Sequence, residues 1–268
     1  MDDETSTDPL AGLIDSFVSR ATEELNLRWK SWHLDLSRNE VHEVVGALMA
    51  RQVTLACQLA ESPNIWNGHT APILLRAMAD VFINVAWVLG EPVERARKFI
   101  FYGLGQAKLN LEHRRAELKT RNPLEGEIEM LDAQEAWINS QRATFLTDVD
   151  LGSWSGISTR GMSEEAGCLD FYNYVYAPFS GCAHSMWQHV GVYNLERCTN
   201  PLHRLHSIPQ TVDGMIDPHY LYLAGKYLQK TFHSIDQKVG TSVEVKSAFD
   251  LLNEGLAELQ KNNGGHHG

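Results

Sequence analysis

The chain has 268 residues, and 43% of them are hydrophobic, which is enough to bury a core of ordinary size. Its 34 acidic and 23 basic side chains give a net charge of −11 at pH 7, which disfavours a broad surface for nucleic acid. The four cysteines are far apart in apolar stretches and form no C-x-x-C pair, as is usual for reduced core thiols. Because the acidic N-terminus also lacks the pattern of a secretory signal, we expect a cytoplasmic protein.

The first half of the chain predicts four helices. An apolar residue recurs every three or four positions from Leu10 to Trp32, which is typical of one amphipathic helix. A capping box indicates a second helix from Ser37, and prolines suited to a first helical turn begin a third helix at Pro72 and a fourth at Pro92. The third helix is about one bilayer long, but charged residues interrupt it, so we expect a core helix and no membrane partner.

The second half predicts four more helices and two loops. A polar fifth helix over 126–147 precedes a loop rich in Gly and Ser over 151–168, which could form a lid or a site wall. A sixth helix is predicted over 169–196, with a kink at its internal Pro and Gly. After a second loop, a seventh helix begins with Asp217 as its cap and Pro218 in its first turn, and an eighth includes the apolar residues around Leu252. No segment alternates with a period of two, so we predict an all-α fold, a single helical bundle of about seven or eight helices.

The simplest domain organisation is an N-terminal helix, residues 1–34, packed on a helical bundle domain of residues 35–262. Residues 263–268 are predicted to form a disordered tail. The histidines of this tail could chelate metal as a short tract or be an addition to the natural chain, so they are left out of the fold argument.

Polar side chains form a column on the third helix. Arg76, Asp80 and Asn84 follow one another at four-residue steps among residues that are nearly all apolar, so they share one face of the helix. Two interpretations are open. Arg76 and Asp80 could form an internal ion pair that fixes helix register, or Arg76 could bind a carboxylate or phosphate while Asp80 orients it.

A second polar column is predicted on the sixth helix, where Tyr176, Ser180, His184 and Gln188 also follow at four-residue steps. Ser180 and His184 are close enough for a hydroxyl to imidazole hydrogen bond, although their flanks are not those of a G-x-S-x-G nucleophile. His184 could be a satisfied core histidine, a general acid or base, or a ligand-binding group. We expect the two columns to face each other, with the 151–168 loop over the opening.

The spacing of the histidines does not indicate a metal site. His184 and His189 are five residues apart and so lie on different faces of a helix, unlike the pair in H-E-x-x-H. The E-x-x-H repeats of di-iron bundles are also missing from the sequence. We therefore expect no metal and no cofactor. Arg197 and His203 resemble the R-x(4–6)-H signature of HEPN-type ribonucleases, but Pro201 between them indicates a loop.

The segments "ILLRAMADVFINVAWVL", "KFIFYGLGQAKLNL", "WSGISTRGMSEEAG" and "YVYAPFSGCAHS" resemble a predominantly bacterial, all-helical family of unknown function, DUF5677, over roughly residues 35–200. This resemblance brings no established reaction, and Asp80 stands where we would expect Glu. It does imply a set of site positions. They are Arg76, Asp80, Tyr102, Lys108, Trp154, Ser180 and His184.

Two functions remain open. In the first, the protein is a metal-independent, HEPN-like ribonuclease or phosphodiesterase of bacterial stress or phage defence, with His184, Arg76 and Ser180 as catalytic residues. In the second, it is a non-enzymatic helical module that binds a small anionic ligand or a partner protein, including a second copy of itself. Residues that would bind the ligand or substrate in either case are Asp80, Asn84, Tyr102, Lys108, Tyr176 and Trp154.

Overall fold

The computed structural model describes residues 8–141, 153–212 and 214–264, and these residues are mainly helical. Its first half consists of long helices joined by short turns, with prolines in the first turn of three of them. Residues 142–147 of the predicted fifth helix lie outside the described residues. The helices are α1 (Pro9–Ser31), α2 (Asn39–Ala60), α3 (Ala71–Val88), α4 (Pro92–Leu118) and α5 (Glu127–Ser140), with 3-10 helices at Leu36–Arg38 and Pro63–Ile65.

The second half begins with short elements and ends with two long helices. The short elements are α6 (Thr159–Glu165), α7 (Leu169–Phe171), a π-helix (Tyr172–Tyr176), α8 (Ala177–Ala183), α9 (Trp187–Tyr193), and strands β1 (Leu195–Arg197) and β2 (Ser207–Pro209). The strands pair antiparallel in a two-stranded sheet. The long helices are α10 (His219–Val239) and α11 (Ala248–Gly264). The all-α prediction is therefore confirmed in outline.

The predicted number of seven or eight helices is wrong, because the predicted sixth helix, 169–196, is divided. Its first residues form α7 and the π-helix, and Pro178 then occupies the first turn of α8, where its missing N–H is tolerated. Ser185 has a positive φ of 51°, a conformation that ends a helix, and the chain turns there before α9 begins. The predicted lid also contains a helix, α6.

The core is centred on α3, which packs against α2, α10, α8 and α6. Leu75, Met78 and Ile83 of α3 have no exposed surface, and Leu228 and Phe232 of α10 are almost as buried. By length and composition α3 could cross a membrane, but most of it is buried within the protein, as expected for a core helix.

Helix α1 packs against α2 and α11, and a buried ion network connects it to α10. Arg28 donates to the carboxylate of Asp236 from Nε at 3.0 Å and from Nη2 at 2.9 Å, and from Nη1 to Glu24 at 3.0 Å. Glu24 also accepts a hydrogen bond from the backbone N–H of Ala248 at the start of α11. This network ties α1 firmly to the bundle. The division into segments 1–34 and 35–262 stays a prediction, and the tail from residue 265 lies outside the described residues.

Candidate functional site

Arg76 joins α3 to the π-helix and α8. Its Nε donates to the hydroxyl of Ser180 at 2.6 Å, its Nη1 donates to the carboxylate of Asp80, and its guanidinium carbon lies 3.3 Å from the centre of the Tyr176 ring. Only 12% of the Arg76 side chain is exposed. The two polar columns therefore meet at Arg76, but its Nε, its Nη1 and one face of its guanidinium already contact groups of the protein.

Each of these partners is held by its local structure. Four-residue spacing on α3 puts Asp80 directly beneath Arg76. The hydroxyl of Ser180 donates to the backbone carbonyl of Tyr176 at 2.9 Å, so its lone pairs face the guanidinium. The hydroxyl of Tyr176 donates to Thr159 at 3.3 Å, which connects α6 to the same group. Burial raises the pKa of Tyr176, so its hydroxyl remains protonated at neutral pH.

His184 does not lie in this interior group. It follows the last residue of α8, and its side chain is exposed to solvent. The predicted hydrogen bond between Ser180 and His184 is wrong, because the single hydroxyl proton of Ser180 goes to the Tyr176 carbonyl. The predicted continuous helix is interrupted here, because α8 ends at Ala183 and the chain turns at Ser185.

Asp80 is partly open to solvent, with 42% of its side chain exposed. Burial of the remainder raises the pKa of its carboxyl, and the nearby charges of Arg76 and His184 oppose that shift. His184 is thus near enough to influence Asp80 through space, although the structure gives no hydrogen bond between them.

The other predicted site residues are not gathered around Arg76. Tyr102 and Lys108 lie on α4, whose main packing partners are α2 and α5, and the Lys108 side chain is exposed. Asn84 is half-buried on α3, one turn beyond Asp80. These residues belong to the sequence pattern of the family, but the structure does not bring them together in one pocket.

Trp154 lies at the far end of α3. Its ring packs edge-on against Trp87 at 5.2 Å and Phe99 at 4.9 Å between centres. Trp87 is eleven residues after Arg76, which corresponds to about 16 Å along a helix. Residues 151 and 152 of the predicted lid lie outside the described residues, and from Thr159 onwards the lid segment is packed on α3 as α6. Trp154 therefore supports the core rather than the Arg76 group.

A groove with a volume of about 960 Å³ lies elsewhere, between the start of α2 and the first half of α4. Its lining includes Val44, Phe99 and Trp137 and the ion pair between Arg97 and Glu40. The sequence-predicted site residues are not among those that line it. Gln141, one of its lining residues, is also the last described residue of this segment, so we assign no site to the groove.

The sequence analysis missed an exposed apolar surface that follows α8. Residues that periodicity assigned to a buried helix are largely in solvent: Trp187 is 74% exposed and Val192 is 69% exposed. We call the exposed large apolar residues between positions 174 and 216 the apolar face. They are Tyr174, Met186, Trp187, Val192, Tyr193, Leu202, Leu205, Val212, Met215 and Ile216.

Beside the apolar face, two histidines and a tyrosine pack together. The ring of His69 lies 5.3 Å from that of His189 and 5.1 Å from that of Tyr193. Burial, and then the neighbouring His69, lower the pKa of His189. The Nε2 atom of His69 is buried and has no hydrogen-bond partner among the described residues. A separate group in the hairpin loop, Cys198, His203 and His206, has side chains of the kind that ligate metals.

The fold and these groups define an all-α protein with an internal arginine network and an uncovered apolar face. The chain belongs to a family of unknown function, DUF5677, which it matches over residues 42–200. The matched segment contains the Arg76 network and α9, and it ends inside the hairpin loop. No curated protein and no solved structure matches the chain.

Proposed function

We propose that the protein is a non-enzymatic helical module that works by association, and that its apolar face binds the same face of a second copy. The observation that carries this proposal is the exposure of Trp187 and its apolar neighbours on α9 and the hairpin. Monomeric proteins rarely leave large contiguous apolar patches in water, and aromatic residues and Met are enriched at interfaces.

The gain from covering this surface is large. A tryptophan contributes about 150–250 Å² of area, so burying the 74% that Trp187 exposes would contribute about 3–5 kcal/mol before the costs of association. Leu202 and Leu205, which are 87% and 88% exposed, would add to it. Covering the whole apolar face, and not Trp187 alone, would offset the translational and rotational freedom that two copies lose on association.

The distribution of charge favours a second copy as the occupant. Residues 172–216 contain four charged side chains, Glu196, Arg197, Arg204 and Asp213, in a chain whose net charge is −11. Two copies that met through other surfaces would bring acidic groups together, whereas the apolar face brings almost no charge. Most soluble oligomers are built from identical subunits, which agrees with this choice.

The alternative functions remain predictions with less geometric support. Phosphodiester cleavage needs a proton-transfer group beside the guanidinium, but His184 is exposed and Ser180 is bonded to Arg76 and to a carbonyl. An anionic ligand would have to compete with Asp80 and Ser180 for the donors of Arg76. An RNA substrate, a role in stress or defence and a cytoplasmic location likewise stay predictions.

Light scattering coupled to size-exclusion chromatography tests the proposal. We expect the unmodified chain to elute with the mass of a dimer at micromolar concentration and Trp187→Ser to elute as a monomer. Trp137→Ser is the matched control, because Trp137 is 53% exposed on α5, outside the apolar face. A monomeric wild type, or a dimer that Trp187→Ser leaves intact, would contradict the proposal.

A further inference from the structure

The β1–β2 hairpin brings three potential metal ligands together at its loop end. The backbone N–H of Cys198 donates to the carbonyl of His206 at 3.1 Å, which extends the antiparallel ladder by one pair beyond β1 and β2. Cys198 and His206 are therefore opposite each other. The N–H of His203 donates to the carbonyl of Asn200 at 3.0 Å, and this turn brings His203 back beside them.

The distances fit a tetrahedral metal ion. Sγ of Cys198 lies 3.6 Å from Nδ1 of His203, and the ligand atoms of Cys198, His203 and His206 all lie within 4.8 Å of one another. A zinc ion with a bond of about 2.3 Å to sulfur and about 2.1 Å to nitrogen, at a tetrahedral angle, separates those two atoms by about 3.6 Å. A small movement of His206 would complete the set.

Apolar packing contributes little to holding the loop of the hairpin in place. Two strands of three residues are marginal on their own, and Leu202 and Leu205 in the loop are almost fully exposed. Leu205 has a positive φ of 62°, which is uncommon for a branched side chain, and it precedes His206 directly. A bound metal ion would supply the cross-link that apolar packing does not.

We propose that this loop binds one divalent transition-metal ion, Zn²⁺ in first place, through Cys198, His203 and His206. A thiolate with two imidazoles is a donor set that suits zinc, and it leaves the fourth position for water. On binding, the Cys198 thiol releases its proton to solvent and the sulfur bonds to the metal. The H-E-x-x-H and E-x-x-H spacings considered in the sequence belong to helices, whereas these three ligands lie on a hairpin. The proposal does not depend on self-association.

Metal titration of the full chain tests the site. His266 and His267 in the tail could bind metal themselves, so both are first changed to Ala in every sample. Under reducing conditions, competition with a chromophoric indicator should show one Zn²⁺ bound per chain, and Co²⁺ should give a thiolate charge-transfer band. Cys198→Ser should abolish that band. His203→Ala and His206→Ala should each weaken binding by more than about 100-fold, since even outer-shell losses cost about 10–100-fold.

His113→Ala is the matched control, because His113 is an exposed histidine on α4 and should leave binding unchanged. Far-ultraviolet circular dichroism should show the same helix content in all variants, since the hairpin contributes little to the core. A chain that binds no stoichiometric Zn²⁺ would overturn the proposal. So would binding that Cys198→Ser and His206→Ala leave intact, or that His113→Ala weakens equally.

Discussion

Replacement of Arg76 by Ala separates a structural arginine from a ligand-binding one. The substitution removes a charged hydrogen bond to Ser180, about 1.5 kcal/mol, and a cation–π contact with Tyr176, about 1 kcal/mol. It also removes the ion pair with Asp80, which contributes less than about 1 kcal/mol because 42% of that carboxylate side chain is exposed. The free energy of unfolding should therefore fall by about 3 kcal/mol, and Tm by about 5 °C, since a chain of 268 residues unfolds with an entropy of about 0.56 kcal/mol/K.

Thermal and urea unfolding followed by circular dichroism measure this loss. Arg97→Ala is the matched control, because Arg97 is 49% exposed and pairs with Glu40 at the surface, so its loss should cost less than about 1 kcal/mol. His184→Ala should change stability by less than about 0.5 kcal/mol, since its side chain is exposed. The reasoning is refuted if Arg76→Ala is as stable as Arg97→Ala. Stabilisation of the wild type by phosphate that vanishes in Arg76→Ala would instead assign a ligand to the site.

Two further predictions concern ion pairs. Arg28→Ala leaves the carboxylates of Glu24 and Asp236 without their cation inside the protein, so we expect the free energy of unfolding to fall by about 3–5 kcal/mol and Tm to fall on the order of 10 °C. A fall in Tm as small as that for a surface arginine would contradict this prediction. Hydrogen bonds from Arg121 and from the backbone of Leu124 lower the pKa of Glu127 to about 2. The stability that this pair contributes is present above the unfolded pKa of about 4.5 and is lost as pH falls towards 2. In Glu127→Gln the free energy of unfolding should therefore depend less on pH between those values. An NMR titration midpoint of Glu127 near 4.5 would rule this out.

Local signals predicted most of the fold. Prolines in first turns mark α3 and α4, and regular apolar spacing marks α1 and α10, because both signals act within a few residues. The capping box at Ser37 is wrong, since Asp35 caps a 3-10 helix there and no side chain caps α2. The meeting of Arg76 with Ser180 was predictable, because each residue belongs to a column of polar side chains on a helix that is otherwise mostly apolar.

The rest depends on contacts that spacing does not encode. Apolar periodicity identifies a face that avoids water, but it does not tell whether the same chain covers that face, so Trp187 was assigned to the interior. The turn at Ser185 has no residue signature, because Gly is the usual choice for a positive φ, so the end of α8 at Ala183 was not predicted. The hairpin escaped notice because strands of three residues are too short to show alternation.

Helix α10 lies outside the segment that matches the family, although it is part of the same hydrophobic core. The family match stops at residue 200, yet α10 covers both α2 and α3, and the buried amide of Gln52 donates to Thr231 at 2.9 Å. Removal of Leu228 and Phe232 would expose the apolar residues of α2 and α3 that they cover. A fragment made of residues 42–200 alone would therefore lack the helix that covers α2 and α3. A fragment intended to fold has to extend past residue 200 and include α10.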